Sequence, residues 1–261
     1  MLYWVLKWVV FVPVIRVLFR PWVQGRENIP TSGPAILVGN HISAGDTYLL
    51  PAMISRRVTF PAKAEAFEGR GFRGRVLKWF LEGVGMHPMD RSGGRASATS
   101  MVGIADVLRR GQLLGIFPEG TRSPDGRLYK GKTGVARLVL QTRVPVVPVG
   151  MVDTQFVRVL GIPMMRKPGL RIGEPLDFSR YAGAGNDRDV LRYVTDEIMA
   201  AVQQLSGQTY VDAYAASVKS AGAEGRPFPV TVLSRPGEGR PVPPLPDPAP
   251  PAAAQPASDP A

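Results

Sequence analysis

The feature that most restricts the fold is a series of short apolar runs, each too short for a helix and each ending in polar residues. Ala35–Gly39 (AILVG) leads into Asn40-His41, and Leu113–Phe117 (LLGIF) leads into Pro118-Glu119-Gly120-Thr121-Arg122-Ser123. Val146–Val152 is a third run. Apolar runs of this length without a period-two alternation are strands covered on both faces. Val58–Ala62 and Met86–Met89 are further strand candidates. Between them, the spacing predicts helices over Asp46–Ile54, Arg73–Leu81, Ala96–Arg110, Thr133–Thr142 and Asp187–Leu205. In the last of these, Val190, Leu191, Val194, Ile198 and Val202 fall on one face. Strand alternating with helix predicts a single α/β domain, a mixed β-sheet flanked by helices.

The two ends read differently from the body. Residues 1–24 carry Trp4, Trp8 and Trp22 among aliphatic residues, with Lys7, Arg16 and Arg20 beside them. The longest uncharged stretch, Trp8–Ile15, is far short of the ~20 residues a bilayer requires. Aromatic and basic residues so mixed suit a helical segment lying in a membrane interface, although a helix capping the core would show the same pattern. No basic stretch precedes the apolar run, and no small-residue cleavage site follows it, so a signal peptide fits poorly. Nearly half of the 26 prolines fall after Arg226. That Pro/Ala-rich composition predicts a disordered and dispensable tail over 226–261, leaving 25–225 as the domain. The tail's three arginines balance its three acids, so the net charge of +11 resides in the first 225 residues. A basic body calls for an anionic partner: phosphate groups, an anionic membrane surface or an acidic carrier protein.

Several chemistries are excluded. There is no cysteine, hence no disulfide, thiolate metal site or thiol nucleophile. The two histidines, His41 and His87, are too few for a His-rich metal site, so no metal is expected. The G-x-S-x-G signature of a serine nucleophile is absent. Gly126–Thr133 does match G-x-x-x-x-G-K-[ST], but a Pro124-Asp125-Gly126 turn precedes it where a phosphate-binding loop needs a strand. No nucleic-acid-binding motif accompanies the basic charge, and no nucleic-acid partner is expected.

Three polar clusters remain. His41 and Asp46 flank a strand-to-helix junction, where a histidine can take a proton from a hydroxyl and a carboxylate can orient it. Ser43-x-x-Asp46 is equally a helix-capping pattern. Asp90-Arg91 follows the Met86–Met89 run, and Arg91 suits either a phosphate or a surface ion pair. Glu119 to Arg122 places a carboxylate, a glycine, a hydroxyl and a guanidinium at one strand end, either as ligand groups or as a solvated turn.

In this order, the clusters resemble the four blocks of the glycerolipid acyltransferase family, typified by bacterial lysophosphatidate acyltransferases. Asn40-His41-x4-Asp46 is similar to the first block and Gly85-x4-Asp90-Arg91, more loosely, to the second. Phe117–Ser123 is similar to the third and Val144–Val149 to the fourth, and the likeness spans roughly 34–178. The resemblance implies an O-acyltransferase that moves a fatty acyl group from acyl-coenzyme A or acyl-acyl carrier protein to lysophosphatidate, with no bound cofactor. It implies His41 as general base and Asp46 as its orienting partner. Arg91, Glu119, Gly120 and Thr121 would line the acceptor site, with Arg91, Lys63 and Arg122 on its phosphate. It also implies a membrane lipid substrate, an acyl carrier protein as a further partner, and a peripheral place at the cytoplasmic face of the cell membrane. Another acceptor, such as glycerol 3-phosphate or an amino-acid lyso-lipid, and a non-catalytic lipid-binding module remain as alternatives.

Overall fold

Parallel strands carry their polar clusters to one edge in the computed structural model, which describes residues 2–63, 67–69, 71–83, 85–89, 103–159 and 161–246. The chain begins with helix α1 (Leu2–Val5), widens into a π-helical turn (Leu6–Phe11) and continues as α2 (Val12–Phe19). Pro13 has no N–H to continue the α-helical ladder, which accounts for the looser turn before it. After β1 (Trp22–Gln24) come β2 (Ala35–Gly39), α3 (Gly45–Met53), β3 (Val58–Lys63), α4 (Gly71–Gly83) and β4 (Met86–Met89). Helix α5 (residues 103–109) precedes β5 (Leu113–Ile116), β6 (Leu128–Tyr129), α6 (Gly134–Thr142) and β7 (Val146–Val152). An exposed hairpin, β8 (Val157–Val159) and β9 (Ile162–Met164), leads to β10 (Gly169–Ile172) and α7 (Arg188–Ser206). The chain continues through β11 (Tyr210–Val211), α8 (Ala215–Ala223) and β12 (Val232–Leu233).

The main sheet has seven strands in the order β1-β10-β7-β2-β5-β3-β4. Strands β7, β2, β5, β3 and β4 are mutually parallel, whereas β10 runs antiparallel to β7. This is the mixed α/β sheet expected. Each central strand feeds both faces: Ile36 and Val38 of β2 join the core under α5, α6 and α7, while Ala35 and Leu37 join the one under α2 and α3. The uninterrupted apolar runs follow from this two-sided burial. A small second sheet, β12-β11-β6, sits beside the main one.

Lys7, which the sequence sets beside the N-terminal tryptophans, turns into the fold. It is buried, 4% exposed, and donates to the carbonyls of Ile54 and Arg56 at the end of α3. Its Nζ lies 5.3 Å and 5.4 Å from the Trp4 and Trp8 ring centres, and burial pushes its pKa down to about 8.

The first part of the tail is ordered. Residues 226–246 fold back along α7, and β12 pairs with β11. Arg240 binds Asp196 at 2.6 Å and Asp212 at 3.4 Å, and Arg235 binds Glu197 at 2.5 Å. Composition predicted disorder because these residues cannot form a core of their own, but here they bind an existing one. Residues 247–261 lie outside the described residues. Asp196 is 2% exposed and shared between Arg192 and Arg240, each at 2.6 Å. Arg240→Ala removes half of that support and is expected to cost about 1–3 kcal/mol. For a chain of this size, that means a Tm lowered by several degrees. Thermal unfolding checks this, and an unchanged Tm would leave the tail dispensable after all.

Candidate active site

The site forms where β2 and β5 end side by side, outside the carboxyl edge of the parallel strands, the usual ligand position in such sheets. β2 releases Asn40 and His41, and β5 releases Phe117 to Arg122. Asn40 is fully buried. Its Nδ2 donates to the Met151 carbonyl and to Gln208 Oε1, and its Oδ1 accepts from the Met151 N–H. These bonds lock the exit of β2 against β7 immediately before His41.

His41 Nδ1 lies 2.9 Å from Asp46 Oδ2. Asp46 is fully buried in the first turn of α3, and the same Oδ2 accepts the N–H groups of Ile42 at 2.6 Å and Ser43 at 2.8 Å. Asp46 therefore serves both roles read from the sequence: it clips the junction loop and holds the histidine. The carboxylate fixes a proton on Nδ1, leaving the Nε2 lone pair as the acceptor. His41 is 17% exposed, and its ring stacks on Phe117 with centroids 4.2 Å apart and planes at 12°. Phe117 in turn stacks on Phe60, whose ring packs where Gly115 lacks a side chain. The imidazole therefore has one edge tied to a carboxylate and one face against a ring, which leaves few ways for it to turn.

Glu119 is held inside the fold. It is 1% exposed; its Oε1 accepts the His41 N–H at 2.8 Å and its Oε2 the Tyr129 N–H at 3.1 Å. The expectation that it lines the acceptor site gives way to a positioning role, because both oxygens are used inside the fold. Burial raises its pKa to about 8, against the opposing effect of the two backbone bonds.

The loop beyond Glu119 passes close to His41. Ser123 N–H donates to the His41 carbonyl at 2.7 Å, so residues 119 and 123 clasp the histidine backbone from both sides. Gly120 has φ +71°, a left-handed conformation that glycine adopts without strain, and the Lys132 side chain lies across it. Thr121 and Arg122 stand on this loop, and Thr121 Oγ1 accepts from Lys219 Nζ of α8 at 3.3 Å.

The structure thus gathers His41, Asp46, Glu119, Gly120 and Thr121, with Arg122 on the same loop. Lys63 ends β3, parallel to β5 and so at the same edge of the sheet. Arg91 lies outside the described residues. Among the described residues, no group of three His, Asp or Glu side chains is placed to hold a metal ion. Sequence reasoning gave Phe117 and Asn40 a place in the motifs but no role, and missed Lys219. Asn40 and Phe117 adjoin motif residues and were within reach, whereas nothing local marks Lys219.

Comparison with known proteins identifies the family. The family model described as "Acyltransferase" matches residues 20–152, from just before β1 to the end of β7. A chloroplastic 1-acyl-sn-glycerol-3-phosphate acyltransferase from Brassica napus is 33% identical over 137 residues, covering 52% of this chain and 38% of that protein. The 1-acyl-sn-glycerol-3-phosphate acyltransferase of Borreliella burgdorferi is 31% identical over 132 residues, covering 51% of each. The matched stretch thus spans about half or less of these relatives' length. The crystal structure of the 1-acyl-sn-glycerophosphate acyltransferase from Thermotoga maritima superimposes with a TM-score of 0.57 at 27% identity, covering 76% of this chain and 78% of that one.

Proposed function

We propose, from the premise that this chain belongs to the Acyltransferase family, that it acylates the free hydroxyl of lysophosphatidate from an acyl thioester, giving phosphatidate. The observation that carries the reading is His41, held through Nδ1 by buried Asp46 with Nε2 left as base. The names of the relatives support the choice of acceptor.

In this reading, Nε2 takes the proton of the acceptor hydroxyl as its oxygen attacks the thioester carbonyl. Asp46 stabilises the imidazolium that forms. The tetrahedral intermediate collapses to the ester and expels the thiolate, which recovers the proton from His41, so the histidine is regenerated each cycle. No group on the enzyme becomes acylated. The donor is acyl-coenzyme A or an acyl-acyl carrier protein, whose acidity suits a basic domain. Thr121 and Arg122 take the acceptor phosphate together with Lys63 and Arg91, which the family resemblance supplies. The direct test is to incubate the protein with acyl-coenzyme A or acyl-acyl carrier protein and lysophosphatidate, and detect phosphatidate by mass spectrometry. Product from either donor supports the reading; none from both overturns it.

Because the acceptor and product are membrane lipids, the protein works as a peripheral protein at the cytoplasmic face of the cell membrane, where the thioester donors are. Among the described residues, no helix is long and apolar enough to cross a membrane. The helical segment Leu2–Phe19 exposes Trp4, Trp8, Val9 and Val17, and α4 exposes Phe72 and Trp79. Surface apolar residues in such number suit an interface with lipid. Trp4→Ser combined with Trp8→Ser is expected to weaken partition into anionic vesicles about tenfold or more, given the apolar area of two indoles. Co-flotation with phosphatidylglycerol-containing vesicles measures this, and an unchanged bound fraction would remove this end from the docking surface.

A further inference from the structure

We infer that Lys219, on α8, binds the phosphate monoester of the lysolipid acceptor, joining Thr121 and Arg122 at the mouth of the site. This rests on the acceptor being a phosphate-bearing lysolipid, as proposed above. Lys219 lies well beyond the family-matched stretch, which ends at residue 152.

The fold brings it there by construction. Strand β6 pairs in parallel with β11, Tyr210 opposite Leu128 and Val211 opposite Tyr129. Leu128 N–H donates to the Thr209 carbonyl, and Lys130 N–H to the Ala213 carbonyl, each at 3.0 Å. Lys130 Nζ also pairs with Asp212 at 3.0 Å, while Tyr129, Val211 and Ala215 form a small core beneath α8. Tyr129 is in addition the residue whose N–H binds Glu119. The small sheet therefore registers α8 against the same carboxylate that positions His41.

Lys219 is partly buried, with Nζ 3.3 Å from Thr121 Oγ1. That is a long bond for an ammonium, which carries two more N–H donors. Burial lowers its pKa first and the Arg122 guanidinium lowers it further, against a smaller opposing effect of Glu119. Lys132 adds another cation across Gly120. The carboxyl facing this group is Glu119, whose two oxygens are already taken by the His41 and Tyr129 N–H groups, so a single engaged carboxyl stands against three cations. Cations brought together in a partly desolvated place without matching negative charge form a site for an anion. Its position beside the His41 loop suits the one dianionic group of the acceptor, with the glycerol hydroxyl reaching toward Nε2.

The test compares Lys219→Met and Lys219→Arg with the unaltered protein, using lysophosphatidate and the uncharged monoacylglycerol of the same chain length. Thermal unfolding with and without sn-glycerol 3-phosphate gives a second readout, independent of turnover. Expected for Lys219→Met is a KM for lysophosphatidate raised about tenfold or more, at a little-changed kcat and thioester KM. Use of monoacylglycerol should be unaltered and the stabilisation by sn-glycerol 3-phosphate lost, with Lys219→Arg restoring part of both. Equal losses with both acceptors would make Lys219 a structural tie and overturn the inference, as would a variant stabilised by sn-glycerol 3-phosphate like the unaltered protein. Unaltered protein that neither acylates lysophosphatidate nor is stabilised by sn-glycerol 3-phosphate would overturn the acceptor reading together with the inference. Acylation by the unaltered protein, with no selective defect in the variant, would overturn the inference alone.

Discussion

Replacing His41 with alanine lowers kcat for acyl transfer by about 10²–10⁴-fold, the range expected when a positioned general base is removed. KM for lysophosphatidate changes little, because the groups assigned to its phosphate, Thr121, Arg122 and Lys219, stand on other elements. Asp46→Asn is expected to cost less. Three donors converge on one carboxylate oxygen, the His41 ring N–H and the amides of Ile42 and Ser43. An asparagine carbonyl at that point keeps all three bonds, so the ring stays in place. What disappears is the negative charge opposite the imidazolium, a transition-state interaction, so kcat falls with little change in KM. The decisive measurement is the double variant. If Asp46 acts through His41, His41→Ala with Asp46→Asn is no slower than His41→Ala alone. Additive losses would show that Asp46 contributes by a separate route and would break the base-and-orienter assignment.

The His41–Asp46 pair was legible in the sequence because the residues are five apart and one strand-to-helix junction holds both. The long strands were legible for a related reason: β2, β5 and β7 are buried on both faces, so their residues are apolar throughout. The short strands were not. β1, β6, β11 and β12 are two or three residues long, and partners remote in sequence supply their hydrogen bonds. The tail misled for a similar reason, since its order comes from Arg240 and Arg235 reaching acids on α7 rather than from its own composition. Glu119 misled through burial: a charge in a mixed segment reads as solvent-facing until the fold closes over it. The contact of Lys219 with Thr121 joins residues 98 apart, a distance no local pattern spans.

Glu119→Ala is expected to destabilise the protein by about 3–6 kcal/mol, since it strands one buried and one part-buried backbone N–H group and opens a cavity. Against a total stability of about 5–15 kcal/mol, that endangers the fold itself, so the informative variant is Glu119→Gln. Its side-chain oxygen still serves one amide, while its NH₂ faces the other donor, and the expected cost is about 1–3 kcal/mol. The two carboxyl forms also leave a pH signature. Burial lifts the folded pKa from 4.5 to about 8, so the folded protein keeps a proton that the unfolded chain has lost. The stabilising contribution of the protonated carboxyl is complete below pH 4.5, declines as pH rises, and is gone above pH 8. Urea unfolding across that window should show stability falling with pH in the unaltered protein and a visibly shallower fall in Glu119→Gln. Parallel profiles would mean that Glu119 is ionised in the folded state throughout, its two amide bonds outweighing burial. In that case the counter-charge to Lys219 and Arg122 would be Glu119 itself, and the vacancy for an acceptor phosphate would be smaller. The pH profile of one buried carboxyl thus bears both on how His41 is held and on how much anion the neighbouring cations can still take.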